Sequence, residues 1–149
     1  MADNMGRHTI TSANSIFMLQ VPGLYDSPVK IEGFSTDAAV GADAVTPSVA
    51  EFGVDGHLSV GWVPTPKVIT ITLAADSPSL PLLMDWIATQ DAAREVYACN
   101  ATFTMPAIYQ TYTGTRGVIT NAPPMPTANK TLQSLAFQIT FESWTPSPL

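Results

Sequence analysis

Leu135-Ala-Phe-Gln-Ile-Thr-Phe-Glu142 alternates apolar and polar side chains through eight consecutive positions. Successive side chains of an extended chain leave on opposite sides, so Leu135, Phe137, Ile139 and Phe141 share one face while Ala136, Gln138, Thr140 and Glu142 share the other. Such a segment is a strand with one face in a core and one in water. Residues 67–75 repeat the pattern, with Ile69, Ile71 and Leu73 interleaved by Thr70 and Thr72. The chain holds 18 threonines, 11 valines and 9 isoleucines, β-branched residues that fit a pleated surface better than a helix. A mainly β domain follows.

The apolar runs 15–21 and 29–35 are separated by Pro22-Gly23 and Asp26-Ser27-Pro28, which is turn chemistry and predicts a hairpin. Asp55-Gly56 is the sharpest hairpin signal, because both residues tolerate the positive φ of a tight turn. It is expected to join a strand over 48–54 to another over 57–63. Residues 96–105, followed by Pro106, and residues 109–120 complete a set of about eight strands. The ending Thr145-Pro-Ser-Pro-Leu149 is expected to lie outside the last strand.

One segment keeps a different period. Leu80, Leu83, Met84 and Ile87 fall at i, i+3, i+4 and i+7, which predicts an amphipathic helix over residues 80–95. Ser77 or Ser79 is placed to cap it, and proline is tolerated in its first turn. Residues 36–47 are small, acidic and aperiodic, long for a hairpin connection; such loops carry function or stay disordered. Their acidic residues Asp37 and Asp43, with nearby Glu51, suit either solvation or polar contacts to another subunit. Residues 121–129 are also aperiodic, and three prolines make them extended. No repeat or linker divides the 149 residues, so a single domain is expected over 1–149, with an N-terminal arm at 1–14 and the long loop at 36–47.

Six basic against twelve acidic residues give a formal charge of −6, which disfavours a general electrostatic grip on nucleic acid or anionic lipid. The first ten residues never reach an apolar stretch of the signal-peptide kind, and no run approaches the length of a membrane helix. A protein made and kept in the cytoplasm is expected. Sequons at Asn100 and Asn129 are then without consequence. The single Cys99 excludes an internal disulfide framework and a cysteine zinc cluster, and is expected to be a buried, inert thiol. His8 and His57 lack the spacing that holds a metal on one helix face. Nucleophile elbow, P-loop and dinucleotide fingerprints are all missing. The twelve carboxylates carry no partner motif for glycoside hydrolysis. No catalytic, metal or cofactor-binding residue is assigned.

The stretch from Gly53 to Ser79 (GVDGHLSVGWVPTPKVITITLAADSPS) resembles the tail tube proteins of contractile-tailed bacteriophages. A Val-Asp-Gly hairpin leads to Gly-Trp-Val-Pro-Thr-Pro, then to a threonine-rich strand ending in Ala-Asp-Ser-Pro-Ser before a helix. Phe34-Ser-Thr-Asp37 and the alternating last strand extend the likeness loosely. The resemblance implies a β-sandwich or small barrel with one helix, related to the Hcp tube of type VI secretion. It implies no catalytic residues and no cofactor. Such subunits form hexameric rings that stack into a hollow tube within a contractile sheath. The implied partners are other copies of the chain, the sheath, tape measure and baseplate or terminator proteins, and genome DNA passing without specific binding. The location implied is the virion tail, assembled in the host cytoplasm.

By order in the chain, Thr36, Asp37, Val40, Asp43, Val45 and Pro47 match the family's inter-subunit loop. Gln138, Thr140 and Glu142, on the wet side of the last strand, are candidates for the lumen wall. A ring with about four strands from each of six subunits has roughly 24 strands, which at ~4.8 Å spacing and ~40° tilt gives a backbone diameter of ~48 Å. That bore passes a DNA duplex. An Hcp-like secretion tube or a tailocin tube is an alternative with the same protomer physics. From other classes, a carbohydrate-binding β-sandwich would use Trp62, Tyr109 and Tyr112 as a platform, and a small hydrolase would need a closed pocket around a carboxylate.

Overall fold

The computed structural model describes residues 15–34 and 39–148. In chain order these form β1 (Ile16–Val21), β2 (Tyr25–Ile31), β3 (Val40–Ala42), β4 (Ser48–Phe52), β5 (Leu58–Trp62), β6 (Lys67–Leu73), α1 (Leu80–Ala93), β7 (Cys99–Met105), a 3₁₀ turn at Pro106–Ile108, β8 (Gln110–Asn121) and β9 (Leu135–Pro148). Seven strands make one antiparallel sheet in the order β2-β1-β7-β8-β9-β6-β3, and β4 pairs with β5 alone. The expected mainly β fold with one helix is the fold observed.

The alternation of residues 135–142 is used as expected. Leu135, Phe137, Ile139 and Phe141 are buried beside Ile69, Ile71 and Leu73 of β6, their register partners or near neighbours. Phe17, Leu19 and Val21 of β1 and Leu83 and Trp86 of α1 complete the core from the other side. The sheet also meets itself. Beyond β2, Phe34 bridges Leu73 at the end of β6, and the Ala74 amide donates to the Gly33 carbonyl at 2.9 Å. The chain leaving β2, at one end of the sheet order, is thereby joined to the end of β6, next to last at the other, and the sheet rolls into a nearly closed barrel around the core. Gly33 makes that join possible: its φ is +75°, and a Cβ there would lie 2.5 Å from the Ser77 hydroxyl oxygen.

Two more glycines let aromatic rings cross β8. A Cβ on Gly117 would fall 2.4 Å from Phe141, and one on Gly114 would fall 2.5 Å from Trp144. Phe141 and Trp144 thus lie against bare backbone, their ring centroids 5.1 Å apart.

Four expectations are corrected. β9 does not stop before Thr145 but pairs with β8 as far as Gln110 opposite Pro148. Beyond Phe141 it has lost β6 as a neighbour, and Pro146 and Pro148, two residues apart, place both missing donors on the same open side. Likewise, Asp26-Ser27-Pro28 is not a turn but part of β2, an edge strand where proline is tolerated. The hairpin turn is Pro22-Gly23-Leu24 alone. The loop 36–47 is not aperiodic throughout, because residues 40–42 form β3 against β6, adding a ninth strand among the described residues. Finally, the helix ends at Ala93, with Arg94 in the left-handed region at φ 57°, and its capping serines work elsewhere. Ser79 sits at the N-cap position, but its hydroxyl accepts from the Glu32 amide at 2.7 Å, while the Ser77 hydroxyl donates to the Glu32 carbonyl at 2.5 Å. The two serines tie the helix entrance to the chain leaving β2.

The predicted stripe is buried at Leu83 and half-buried at Leu80, Met84 and Ile87. Trp86, three residues after Leu83, was not in that stripe yet is fully buried, its indole donating to the Tyr97 carbonyl at 3.0 Å.

Candidate assembly surface

The Asp55-Gly56 hairpin forms as expected, with β4 and β5 joined by residues 53–57. The His57 amide donates to the Asp55 carboxylate at 3.1 Å, the Gly53 amide to the His57 carbonyl at 2.9 Å, and Gly56 takes φ +83°. Its neighbours in sequence explain its direction. The Asp43 amide donates to the Val68 carbonyl and the Val63 amide to the Pro47 carbonyl, so the hairpin prolongs the β3–β6 ribbon past the end of the sheet. Every residue of both strands is exposed.

The register sorts those residues into two unlike faces. Ser48 lies opposite Trp62, Ala50 opposite Val60 and Phe52 opposite Leu58, all on one side; Val49 with Gly61 and Glu51 with Ser59 make the other. The first face is apolar, with Phe52 75%, Val60 72% and Trp62 79% exposed. A contiguous apolar patch of this kind marks an interaction surface. The sequence carried its signal in the shared parity of Ala50, Phe52, Leu58, Val60 and Trp62, which the turn centred on Asp55-Gly56 brings to one side.

The sequence-derived loop residues divide. Thr36 and Asp37 lie outside the described residues, as do His8 and the expected arm at 1–14. Val40 is half-buried against the protomer's own core, paired with Ile71. Asp43, Val45 and Pro47 are exposed on the path into the hairpin. In β9, Gln138, Thr140 and Glu142 are on the face opposite Phe137, Ile139 and Phe141. There the Thr120 and Thr140 hydroxyl oxygens are 3.1 Å apart, and Glu142 pairs with Arg116 at 3.6 Å. Both members of that pair are well exposed, so it adds little stability.

The described residues gather little convergent chemistry elsewhere. Among the described residues, no three His, Cys, Asp or Glu side chains gather where they could hold a metal. Cys99 is buried in the core, and burial pushes its thiol up to about 12 despite a hydrogen bond with the Gly117 backbone. It stays protonated and unreactive at neutral pH. A recess of about 310 Å³ beside Pro64, Thr65 and Pro66 has one carboxylate, Glu142, among its described lining residues, where glycoside hydrolysis needs two. Of the three aromatics expected as a platform, Tyr112 stacks on Trp144 at 6.3 Å and packs against the core, Tyr109 follows the 3₁₀ turn, and Trp62 is out on the hairpin. Among the described residues, no helix is long and apolar enough to cross a membrane.

Among solved structures, a chain of the anti-feeding prophage baseplate is similar over 94% of this chain and 96% of its own, with a TM-score of 0.57 at 6% identity. The anti-feeding prophage tube-terminating cap matches over 96% and 93%, with a TM-score of 0.55 at 12% identity. The sheath-tube complex of the extracellular contractile injection system PVC matches over 89% and 88%, with a TM-score of 0.54 at 12% identity. These likenesses establish a shared fold. No curated protein matches the sequence. The sequence itself matches the family described as tail fiber protein gp32 over residues 8–145, nearly the whole chain, and to that family it belongs.

Proposed function

We propose that the chain is a structural subunit of a contractile phage tail, assembling with its own copies as hexameric rings stacked into a hollow tube that delivers DNA. The observation that carries this reading is the β4–β5 hairpin, an apolar face that extends past the barrel and that its own chain leaves exposed. An apolar patch of this kind marks an interaction surface, and a subunit buries it on a neighbour. The barrel fold, shared with chains of contractile injection systems, and the tail description of the family both support the role. The role is mechanical, and its partners are the sheath, the tape measure and the proteins closing the tube at either end.

In this reading the lumen wall comes from the wet face of the sheet, including Gln138, Thr140 and Glu142, and the segment with Asp43, Val45 and Pro47 contacts a neighbouring subunit. Hydroxyls and amides in such a wall pass a polyanion without holding it. Electron microscopy of the purified protein is the direct test. Rings or tubes with a central hole are expected, and a monomer at all concentrations would end the reading. Fold likeness to a tube-terminating cap gives a second reading, a terminator, for which single rings that never lengthen are the expected product. Within assembled tails, Glu142→Lys reverses a charge beside Arg116 and is expected to retain DNA in a salt-sensitive way; unchanged ejection would place Glu142 off the wall.

A further inference from the structure

Within the tube reading, we infer that the apolar face of the β4–β5 hairpin docks on the proline-rich β8–β9 connection, residues 122–134, of the next copy. Register alone places the two features at opposite ends of one strand pair. Lys67 lies opposite Phe141 and Leu73 opposite Leu135. The hairpin reaches β6 at Lys67, and the β8–β9 connection reaches β9 at Leu135. They are therefore separated by the length of β6, about 20 Å for a seven-residue strand. Two different surfaces at opposite ends of a subunit meet head to tail, and such a contact repeats along an assembly, whereas hairpin on hairpin would close at two copies.

The two surfaces suit each other. Met125 and Leu132 are 63% and 60% exposed in the connection, a second apolar display to set against Phe52, Val60 and Trp62. Pro123, Pro124 and Pro126 fix its backbone beforehand, which lowers the entropy lost on docking. Its tip is held by its own hydrogen bonds, with Ala128 bridging Leu132 and the Gln133 amide donating to the Thr127 carbonyl at 3.1 Å. Charge is complementary as well. Asp55 at the hairpin turn and Asp43 at its base are acidic, and residues 43–66 carry no lysine or arginine, while residues 122–134 carry Lys130 and no carboxylate.

Cross-linking tests the pairing. Val54→Cys marks the hairpin and Met125→Cys the connection, and buried Cys99 stays silent. When the two single variants are mixed at assembling concentration and oxidised, a 54–125 link between different chains is expected. The double variant is expected to give a ladder of covalent multimers. Lys130→Glu is expected to raise the concentration needed for assembly about tenfold at low salt and by less at high salt. Assembled rings or tubes whose only links are 54–54 or 125–125, or that form no link, would overturn this docking while leaving the tube reading in place. Failure of the unmodified protein to assemble at all would remove both.

Discussion

The β6–β9 pair and the β4–β5 pair are both antiparallel ladders with apolar side chains on one face, and they differ in what lies over that face. Ile69, Ile71, Phe137 and Ile139 are covered by β1, β2 and α1 to within 1% of full burial, whereas Phe52, Val60 and Trp62 are more than 70% exposed. Local sequence pattern forms a ladder in either place. What separates them is whether the chain supplies a second layer. The first pair therefore reports on folding and, in the tube reading, the second on association, so substitutions in the two should fail in different ways.

The largest expected effect on folding is at Leu83, which is wholly buried under the sheet. Leu83→Asp puts an unpaired charge into that core at about 4 kcal/mol or more, and the product is expected to be insoluble. Soluble, assembling Leu83→Asp would mean that α1 does not cover this face. Gly117→Ala is smaller, about 1–3 kcal/mol, because its Cβ must displace the Phe141 ring and the Cys99 sulfur, 2.4 and 2.9 Å away. Chemical denaturation measures it, and a value near zero would show that the aromatic packing on β8 yields freely.

Alkaline pH sharpens the contrast further. The Cys99 thiol titrates at 9.0 when unshifted and at about 12 in the fold, so the unfolded chain releases this proton first. The stability it contributes is complete below pH 9 and is lost as pH rises toward 12. Cys99→Ala is expected to flatten the decline over that window relative to the unmodified protein; identical profiles would place the thiol in contact with water. The smallest effect on folding belongs to the hairpin. Trp62→Asp is expected to shift protomer stability by no more than about 0.5 kcal/mol while abolishing assembly, read by denaturation and by sedimentation. A destabilised protomer would mean that Trp62 packs on its own barrel.

The legible parts were those whose signal is local. Alternation in residues 67–73 and 135–142, the Asp55-Gly56 turn and the 3.6-residue stripe from Leu80 to Ile87 each identify an element without tertiary help. Prolines misled, because the rule that they end strands depends on sheet position: Pro28, Pro146 and Pro148 have open neighbours, which no single sequence announces. β3 was hidden for the converse reason, since Val40-Gly-Ala42 has no period of its own and is drawn into the sheet by β6. The candidate site was visible as a hairpin and as a resemblance, but its apolar face becomes a surface only once the barrel leaves it uncovered.

Between the β3–β6 ladder and the hairpin stand residues 44–47 and 63–66, which carry Pro47, Pro64 and Pro66. Three positions without an amide hydrogen thin the ladder there, and the bond from the Val63 amide to the Pro47 carbonyl carries the ribbon across, so this stretch is joined more sparsely than the ladders on either side. Strain applied to the outer ladder is taken up as a change of angle in that stretch before it reaches the hydrogen bonds of the barrel. In the tube reading, a filament linked through such stretches would bend by many small rotations while each barrel keeps its shape.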